Sequence, residues 1–447
     1  NRAGGWKRTG GRARADGRAA LLRRLAQVDG VYVPSLYAAE YAADGTLAAL
    51  RPLAPGVPTQ VRRRIVADLG PAPTAPVVPH IQAVHDRAMV EIQRGCSRGC
   101  RFCQAGMIYR PIRERPVAEV LDAIDALVAA TGYTEVGLVS LSSSDHSGIA
   151  EIVAQAMARH AEDGLAISLP SLRIDSFSVR LAETIQSTRK TGFTFAPEAG
   201  SQRLRDVINK GVTEDDLMAT AQAAFASGWN RIKLYFMVGL PTETDEDVLE
   251  MARLIRAIAR LGREVRHRHV DVNVSVSTLV PKPHTPFQWA PLVAREDLER
   301  RQALLRDHTR VSGVHLAWSE WDATLLEAVL SRGDRRLGAV IHRAWRMGAQ
   351  FDAWYEHFQP GIWWQALAEE GLSPAFYALR ERPADERLPW DVVDVGVERA
   401  FLWGEAERAR LGDLSPDCRV TCHGCGIMAA YAGERAAVPE RAWGCPA

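Results

Sequence analysis

From about residue 81 to residue 315 the sequence alternates short Val-, Ile-, Leu- and Phe-rich runs with longer amphipathic stretches, and few folds accept that rhythm. The apolar runs fall at residues 89–93, 135–141, 166–170, 192–196, 231–238 and 272–279. Helical spacing fills the intervals at 117–130, 151–162, 213–227 and 245–261. Strands that alternate with helices of ten or more residues predict parallel βαβ units. The fold class is therefore α/β, and six such units fit a partial (βα)6 TIM-like barrel better than a doubly wound sheet. In a barrel the chemistry lies at the carboxyl ends of the strands, in the βα loops.

The flanks read differently. Residues 1–80 form an N-terminal remnant with a helical start (20–27), a VYVPSLY strand and a linker punctuated by seven prolines from Pro52 to Pro79. Residues 316–447 read as mainly helical and hold nine of the twelve tryptophans, whose expected use is packing rather than base stacking. The first eighteen residues are rich in Gly and Arg and lack the apolar core of a signal peptide. No run approaches the ~20 apolar residues of a spanning helix. The chain is expected to be cytoplasmic, with no membrane partner, and to lack an N-terminal portion. Fifty-five basic against 54 acidic side chains leave no global field to attract nucleic acid.

Six of the seven cysteines sit in two tight sets. The segment VEIQRGCSRGCRFCQAG follows the first expected strand and places Cys96, Cys100 and Cys103 in a C-x3-C-x2-C loop. Three thiols this close indicate a metal or cluster site. A structural zinc wants four ligands, and no fourth Cys or His follows at a finger-like distance. A 4Fe–4S cluster held by three cysteines leaves one iron open to a bound amino acid.

With Phe102 before the third cysteine, in the first βα loop of a six-unit barrel, this motif resembles the radical S-adenosylmethionine (radical SAM) enzymes. The resemblance implies a 4Fe–4S cluster on Cys96, Cys100 and Cys103 and S-adenosylmethionine as co-substrate. It also implies an electron from a flavodoxin- or ferredoxin-type protein and a 5′-deoxyadenosyl radical that takes hydrogen from a substrate. Ser142, Ser143 and Ser144, in LVSLSSSDHSG, occupy the loop that contacts the methionine amino group in that superfamily. Those serines also read as a helix N-cap, and His146 as an exposed neighbour of the cap or a proton donor. Ser168 and Arg173, in SLPSLRIDSFS, indicate a polar barrel mouth where Arg can hold a carboxylate in two bonds. Glu198, in FTFAPEAGSQRLRDVINKG, lies in a segment similar to the one that carries the ribose-contacting acid in methylthiotransferase and coproporphyrinogen dehydrogenase types, and it also reads as a glutamate at a helix start. Gly239 and Pro241 match the family's strand-5 GxP turn against the adenine. Thr244 with Asp247 reads as a capping box. Lys282 and His284, in VPKPHTPFQW, are substrate-contact candidates or ordinary loop residues.

Over residues 20–426 the motifs, including YVPSLY and PKPHTPFQWAP, resemble an uncharacterised bacterial family with a cobalamin-binding-like domain ahead of the radical barrel. No D-x-H-x-x-G cobalamin signature is present; Asp145-His146-Ser147-Gly148 has the wrong spacing. Near the end, SPDCRVTCHGCGIM repeats the x3, x2 spacing at Cys418, Cys422 and Cys425. Members of that family carry a further cysteine near the position of Met428. Cys445 or His423 is a candidate fourth ligand, for a second 4Fe–4S cluster or a structural zinc. Two functions remain. One is a radical SAM enzyme of unknown substrate, with RNA or protein modification suggested by the methylthiotransferases. The other is a non-enzymatic iron–sulfur or zinc scaffold that binds nucleic acid.

Overall fold

The computed structural model describes residues 11–81, 84, 86–169, 174, 193–439 and 442–445. The chain divides into two compact units, residues 1–66 with 382–396, and residues 67–381 with 397–447. Segment 382–396 thus belongs with the N-terminal residues and not with the helical region expected over 316–447.

The smaller unit holds helix α1 (Gly11–Leu25) and an antiparallel hairpin of β1 (Tyr37–Tyr41) and β2 (Leu47–Pro52). Strand β3 (Val61–Arg62) pairs in parallel with Val393–Asp394. The expected VYVPSLY strand opens instead as a single 3-10 turn at Pro34–Leu36, because a proline fixed near −65° favours a helical first turn. Tyr37 starts the strand and donates its hydroxyl to Pro58 O at 2.7 Å. Val57 and Val61 are buried beside Ala26, Val33 and Tyr37, so the early part of the proline-rich linker is a core element.

The larger unit carries seven parallel strands in two sheets. One sheet joins β4 (Ala88–Glu91), β7 (Glu135–Val139) and β8 (Ala166–Ser168); β5 (Gln93–Arg94) and β6 (Arg113–Glu114) form a separate two-residue pair. Helix α2 is Gln104–Ile108; α3 (Val117–Thr131) and α4 (Ile149–Arg159) cover the first sheet and bury Val120, Ile124, Ile152 and Val153 against Val90, Val136 and Leu138. The second sheet runs β12–β11–β10–β9, with β9 at Phe193–Glu198, β10 at Arg231–Val238, β11 at Asp271–Thr278 and β12 at Val314–Trp318. Between these strands lie α5 (Gln202–Val207), α6 (Glu214–Ala226), α7 (Asp245–Arg266) and α8 (Arg295–His308). The last strand was not expected. It is an edge strand with a half-buried alternation and no continuous apolar run to announce it.

Strands β10 and β11 alternate, and are not apolar throughout. Ile232, Leu234, Phe236, Val272, Val274 and Val276 pack under α6 to α8, while Lys233 and Tyr235 stay exposed on the other face. That is the pattern of a sheet covered fully on one side only. Helices begin where the local chemistry allows. Thr213 with Asp216 and Thr244 with Asp247 form reciprocal capping boxes at α6 and α7. Gly132, at φ 71°, ends α3 by returning its N–H to Val128 O.

The C-terminal part adds α9 (Trp321–Arg332), α10 (Leu337–Arg346), α11 (Pro360–Glu369), α12 (Pro374–Ala378) and α13 (Arg399–Leu411). Trp363 is buried in their core, as packing use predicts, and Trp345 and Trp354 are exposed. Among the described residues no helix is long and apolar enough to cross a membrane.

Gly200, between β9 and α5, touches the α7 backbone: a Cβ there would lie 2.3 Å from Met251 Cα. Backbone cannot yield as a side-chain tip does, so Gly200→Ala should destabilise the larger unit by about 1–3 kcal/mol, read as a lower urea midpoint.

Candidate metal and cofactor site

Strand β4 delivers the first cysteine loop at its carboxyl end, beside the end of β7, where Glu91 is paired with Val139. The antiparallel pairing of Gln93 with Glu114 and Arg94 with Arg113 then closes the base of the loop. Gly95, at φ 88°, makes that closure possible, since a Cβ would meet Tyr109 O at 2.6 Å and Pro111 O at 2.7 Å. Cys103 caps α2, its Sγ accepting from Gly106 N at 3.3 Å, and its own N–H bonds Cys100 O at 3.1 Å. Burial and the neighbouring Cys100 push the Cys103 thiol up. Phe102 packs against a cluster that includes Ala199, Met237 and Leu279, at the ends of β9, β10 and β11, and Leu204 of α5. Among the described residues no three His, Cys, Asp or Glu side chains close on a common point. The donor set still fits an iron–sulfur cluster: three thiols on one glycine-shaped loop, at the strand edge where such a fold binds ligands.

Glu198 ends β9 at the same edge. Pro197 cannot donate to the ladder, and the register with β10 shifts there, between Leu234 and Phe236. Glu198 follows in the left-handed region at φ 66°. Its carboxylate pairs with Lys210 Nζ at 3.1 Å, and both groups act on the Cys103 sulfur. The structure thus brings Glu198 to the cysteine loop.

Gly239 follows β10 at φ 80°. Its N–H donates to Glu243 Oε2 at 2.6 Å, and the same oxygen takes Arg301 at 2.8 Å. Sequence reasoning passed over Glu243, because a glutamate before a capping box looks like one more acid at a helix start. A cavity of about 340 Å3 opens beside Gly239 and Pro241, bordered by Trp289 and Trp403.

The serine loop differs from expectation. Ser142 Oγ donates to Asp145 at 2.6 Å and Ser143 Oγ to Leu138 O at 2.8 Å, and both residues are buried. Ser144 is buried too. The hydroxyls of Ser142 and Ser143 are therefore spent inside the loop. Neither they nor Asp145 cap α4: its N-cap is Gly148. His146 is buried, not exposed. Its Nδ1 accepts from Gly148 N at 3.0 Å, so its Nε2 carries the proton and donates to Arg115 O at 2.9 Å. Both ring nitrogens are engaged by backbone groups.

Ser168 Oγ accepts from Arg87, the residue before β4. Arg173 lies outside the described residues. Lys282 pairs with Glu327 and lines a cavity of about 530 Å3 with Phe102, Met237, Ser277 and Thr278, past the ends of β10 and β11.

The C-terminal segment makes contacts that no local signal announces. Ser97 Oγ donates to Asp417 at 2.8 Å, and Cys418 N to Ser97 O at 3.0 Å. Arg98 reaches Asp145 at 2.6 Å and Asp417 at 3.4 Å. Fully buried Arg101 donates to Glu405 at 3.0 Å and to Asp413 O at 2.6 Å. Asn209 Nδ2 donates to Arg98 O, Gly99 O and Ser415 O, while its Oδ1 accepts from Ser415 N. Beyond this seam Cys418, Cys422, Cys425 and Cys445 line one cavity of about 250 Å3 with Cys96 and Arg110. Burial pushes the Cys418 thiol up to about 12 and the Cys445 thiol up to about 11.

Burial, outweighing Arg301, lifts the Glu243 carboxyl to about 7. Between its ordinary value of 4.5 and about 7 the folded chain holds a proton that the unfolded chain has released. Stability should therefore fall as pH rises through that window, and Glu243→Gln should flatten the fall by up to a few kcal/mol in denaturation series at stepped pH. Asn209→Ala leaves buried partners unmet and should cost about 1–3 kcal/mol by the same measurement.

A family model of the radical SAM superfamily matches residues 90–255. An uncharacterized protein of Methanocaldococcus jannaschii is 34% identical over 256 residues, 57% of this chain and 53% of that protein. A tRNA-2-methylthio-N(6)-dimethylallyladenosine synthase of Pelotomaculum thermopropionicum is 26% identical over 265 residues, 57% of this chain and 55% of the synthase. The ribosomal protein uS12 methylthiotransferase RimO of Desulfotalea psychrophila is 24% identical over 180 residues, 38% and 40% of the two chains. The chain spans about half the length, or less, of these curated relatives. The match takes in the cysteine loop, Glu198 and the Gly239–Pro241 turn, and over residues 90–255 the chain carries a domain of the radical SAM superfamily.

Proposed function

We propose that the chain is a radical SAM enzyme in which Cys96, Cys100 and Cys103 hold a 4Fe–4S cluster and leave one iron open to S-adenosylmethionine. The observation that carries this reading is the cysteine loop itself, at the carboxyl end of the first parallel strand and inside the matched region. The chemistry such a group supplies when bound is one-electron cleavage of S-adenosylmethionine to methionine and a 5′-deoxyadenosyl radical, with the electron coming from a flavodoxin- or ferredoxin-type partner.

The chain's own residues bind and orient. Glu198, paired with Lys210 beside Cys103, accepts from the ribose hydroxyls. Gly239 and Pro241 lay their backbone against the adenine, and Glu243 holds that turn by its Gly239 N–H. The loop at Ser142–Ser144 offers backbone groups to the methionine amino end, since two of its hydroxyls are occupied. Arg173 remains the residue assigned to the carboxylate. Ser168, bonded to Arg87, has at most a supporting part in the polar mouth. Phe102 excludes water on the side facing the substrate cavity.

A cavity of about 530 Å3 takes one nucleoside or one side chain, not a macromolecule. The substrate we favour is therefore a single residue presented by a tRNA or a ribosomal protein. The methylthiotransferase relatives support that choice.

Anaerobic reconstitution with iron and sulfide, then dithionite and S-adenosylmethionine, should yield 5′-deoxyadenosine, and Cys100→Ala should abolish it. A fully iron-loaded chain that produces none would sink the enzyme reading.

A further inference from the structure

We propose that Cys418, Cys422, Cys425 and Cys445 hold a second, polynuclear iron–sulfur cluster, built directly against the loop that carries Cys96. Four cysteines from two separate stretches of chain line one cavity, an arrangement that packing alone does not call for. Cys445 is a member of the set and not a spare. It stands near enough to Cys418, Cys422 and Cys425 for their charges to act on one another. The chain holds it there deliberately. Buried Trp443 donates its Nε1 to Ala67 O at 3.0 Å, and Gly444 N donates to Ile112 O at 3.0 Å. His423, the other candidate, directs its Nε2 at Pro416 O at 2.9 Å.

The size of the cavity separates a cluster from zinc. A zinc ion draws four sulfurs to about 2.3 Å and leaves no chamber among them. Here the four thiols, with Cys96 beside them, border one cavity of about 250 Å3. A single water fills about 30 Å3, so the chamber is several atoms wide. Thiols spread around such a space suit a multi-atom core of iron and sulfide. Four thiolates on a cluster leave a net negative charge that a nearby cation offsets. Arg110, 5% exposed, reaches Cys418 and Cys425 and also Cys96.

The four-cysteine site stands on its own observations. Its closeness to a first cluster rests on the reading of Cys96, Cys100 and Cys103 given above. Full-length chain reconstituted anaerobically should carry about eight irons and eight sulfides and no zinc. Replacing Cys418, Cys422 and Cys425 by Ala should remove about half the iron, and replacing Cys96, Cys100 and Cys103 the other half. Cys445→Ser should alter the second cluster's signal in electron paramagnetic resonance, and His423→Ala should not. In the reduced wild type the two signals should broaden each other, and either triple variant should sharpen the one that remains.

About four irons with one zinc, or four irons that stay when Cys418, Cys422 and Cys425 are replaced and vanish when Cys96, Cys100 and Cys103 are, overturns the second cluster. The zinc assay uses unmodified protein and holds even where a variant misfolds. An unchanged spectrum in Cys445→Ser with a changed one in His423→Ala overturns the choice of ligand. Sharp, independent signals in the wild type overturn the adjacency. If the first reading alone is wrong, the Cys96, Cys100, Cys103 variant keeps its iron while the C-terminal variant still loses its share.

Discussion

The buried guanidinium of Arg101 is the contact on which the cysteine loop depends. A charge with no exposed surface survives only when its donors are met, and here Glu405, Val207 O and Asp413 O meet them. The acceptors come from α13, from the end of α5 and from the segment after α13. One side chain therefore gathers three distant parts of the chain around the loop that begins at Gly95. Asn209 and Asp417 repeat the arrangement with uncharged and charged bonds, so the loop is held by side chains from two distant stretches of chain. Side chains locked in this way hold the three thiols of the loop in fixed positions.

The elements that carry strong periodicity were legible in the sequence. Strand β10 and helix α6 lie at the expected residues, and α7 begins where its capping box predicts, because those signals are local. The cysteine loop, Glu198 and the GxP turn were legible as chemistry for the same reason. What the sequence could not show was where hydroxyls and ring nitrogens would point. Ser142, Ser143 and His146 looked available, and the fold turns each toward its own loop. Glu243 looked redundant, and its role appears only when Gly239 N and Arg301 are seen around it. The contacts of Arg98, Arg101 and Asn209 link residues that are hundreds of positions apart, and no periodicity encodes them.

The strand edge gathers groups with different tasks into a small space. Phe102 supplies an apolar wall, the Glu198–Lys210 pair a fixed dipole beside Cys103, and the ends of β10 and β11 a half-polar cavity. Positive-φ backbone at Glu198 and Gly239 aims two of these groups. Strain at such positions is tolerated where the surrounding packing over-determines the backbone, as it does under β9 and β10.

The seam between residues 97–101 and 405–418 also sets an order of events during synthesis. The first cysteine loop leaves the ribosome long before Glu405, Asp413 and Asp417 exist to hold it, so in the nascent chain it lacks these partners. It can take its final shape only when nearly all of the 447 residues have emerged. Closure of that loop is in this sense a late step imposed by topology. Two cysteine segments far apart in sequence are tied by one backbone bond, Cys418 N to Ser97 O.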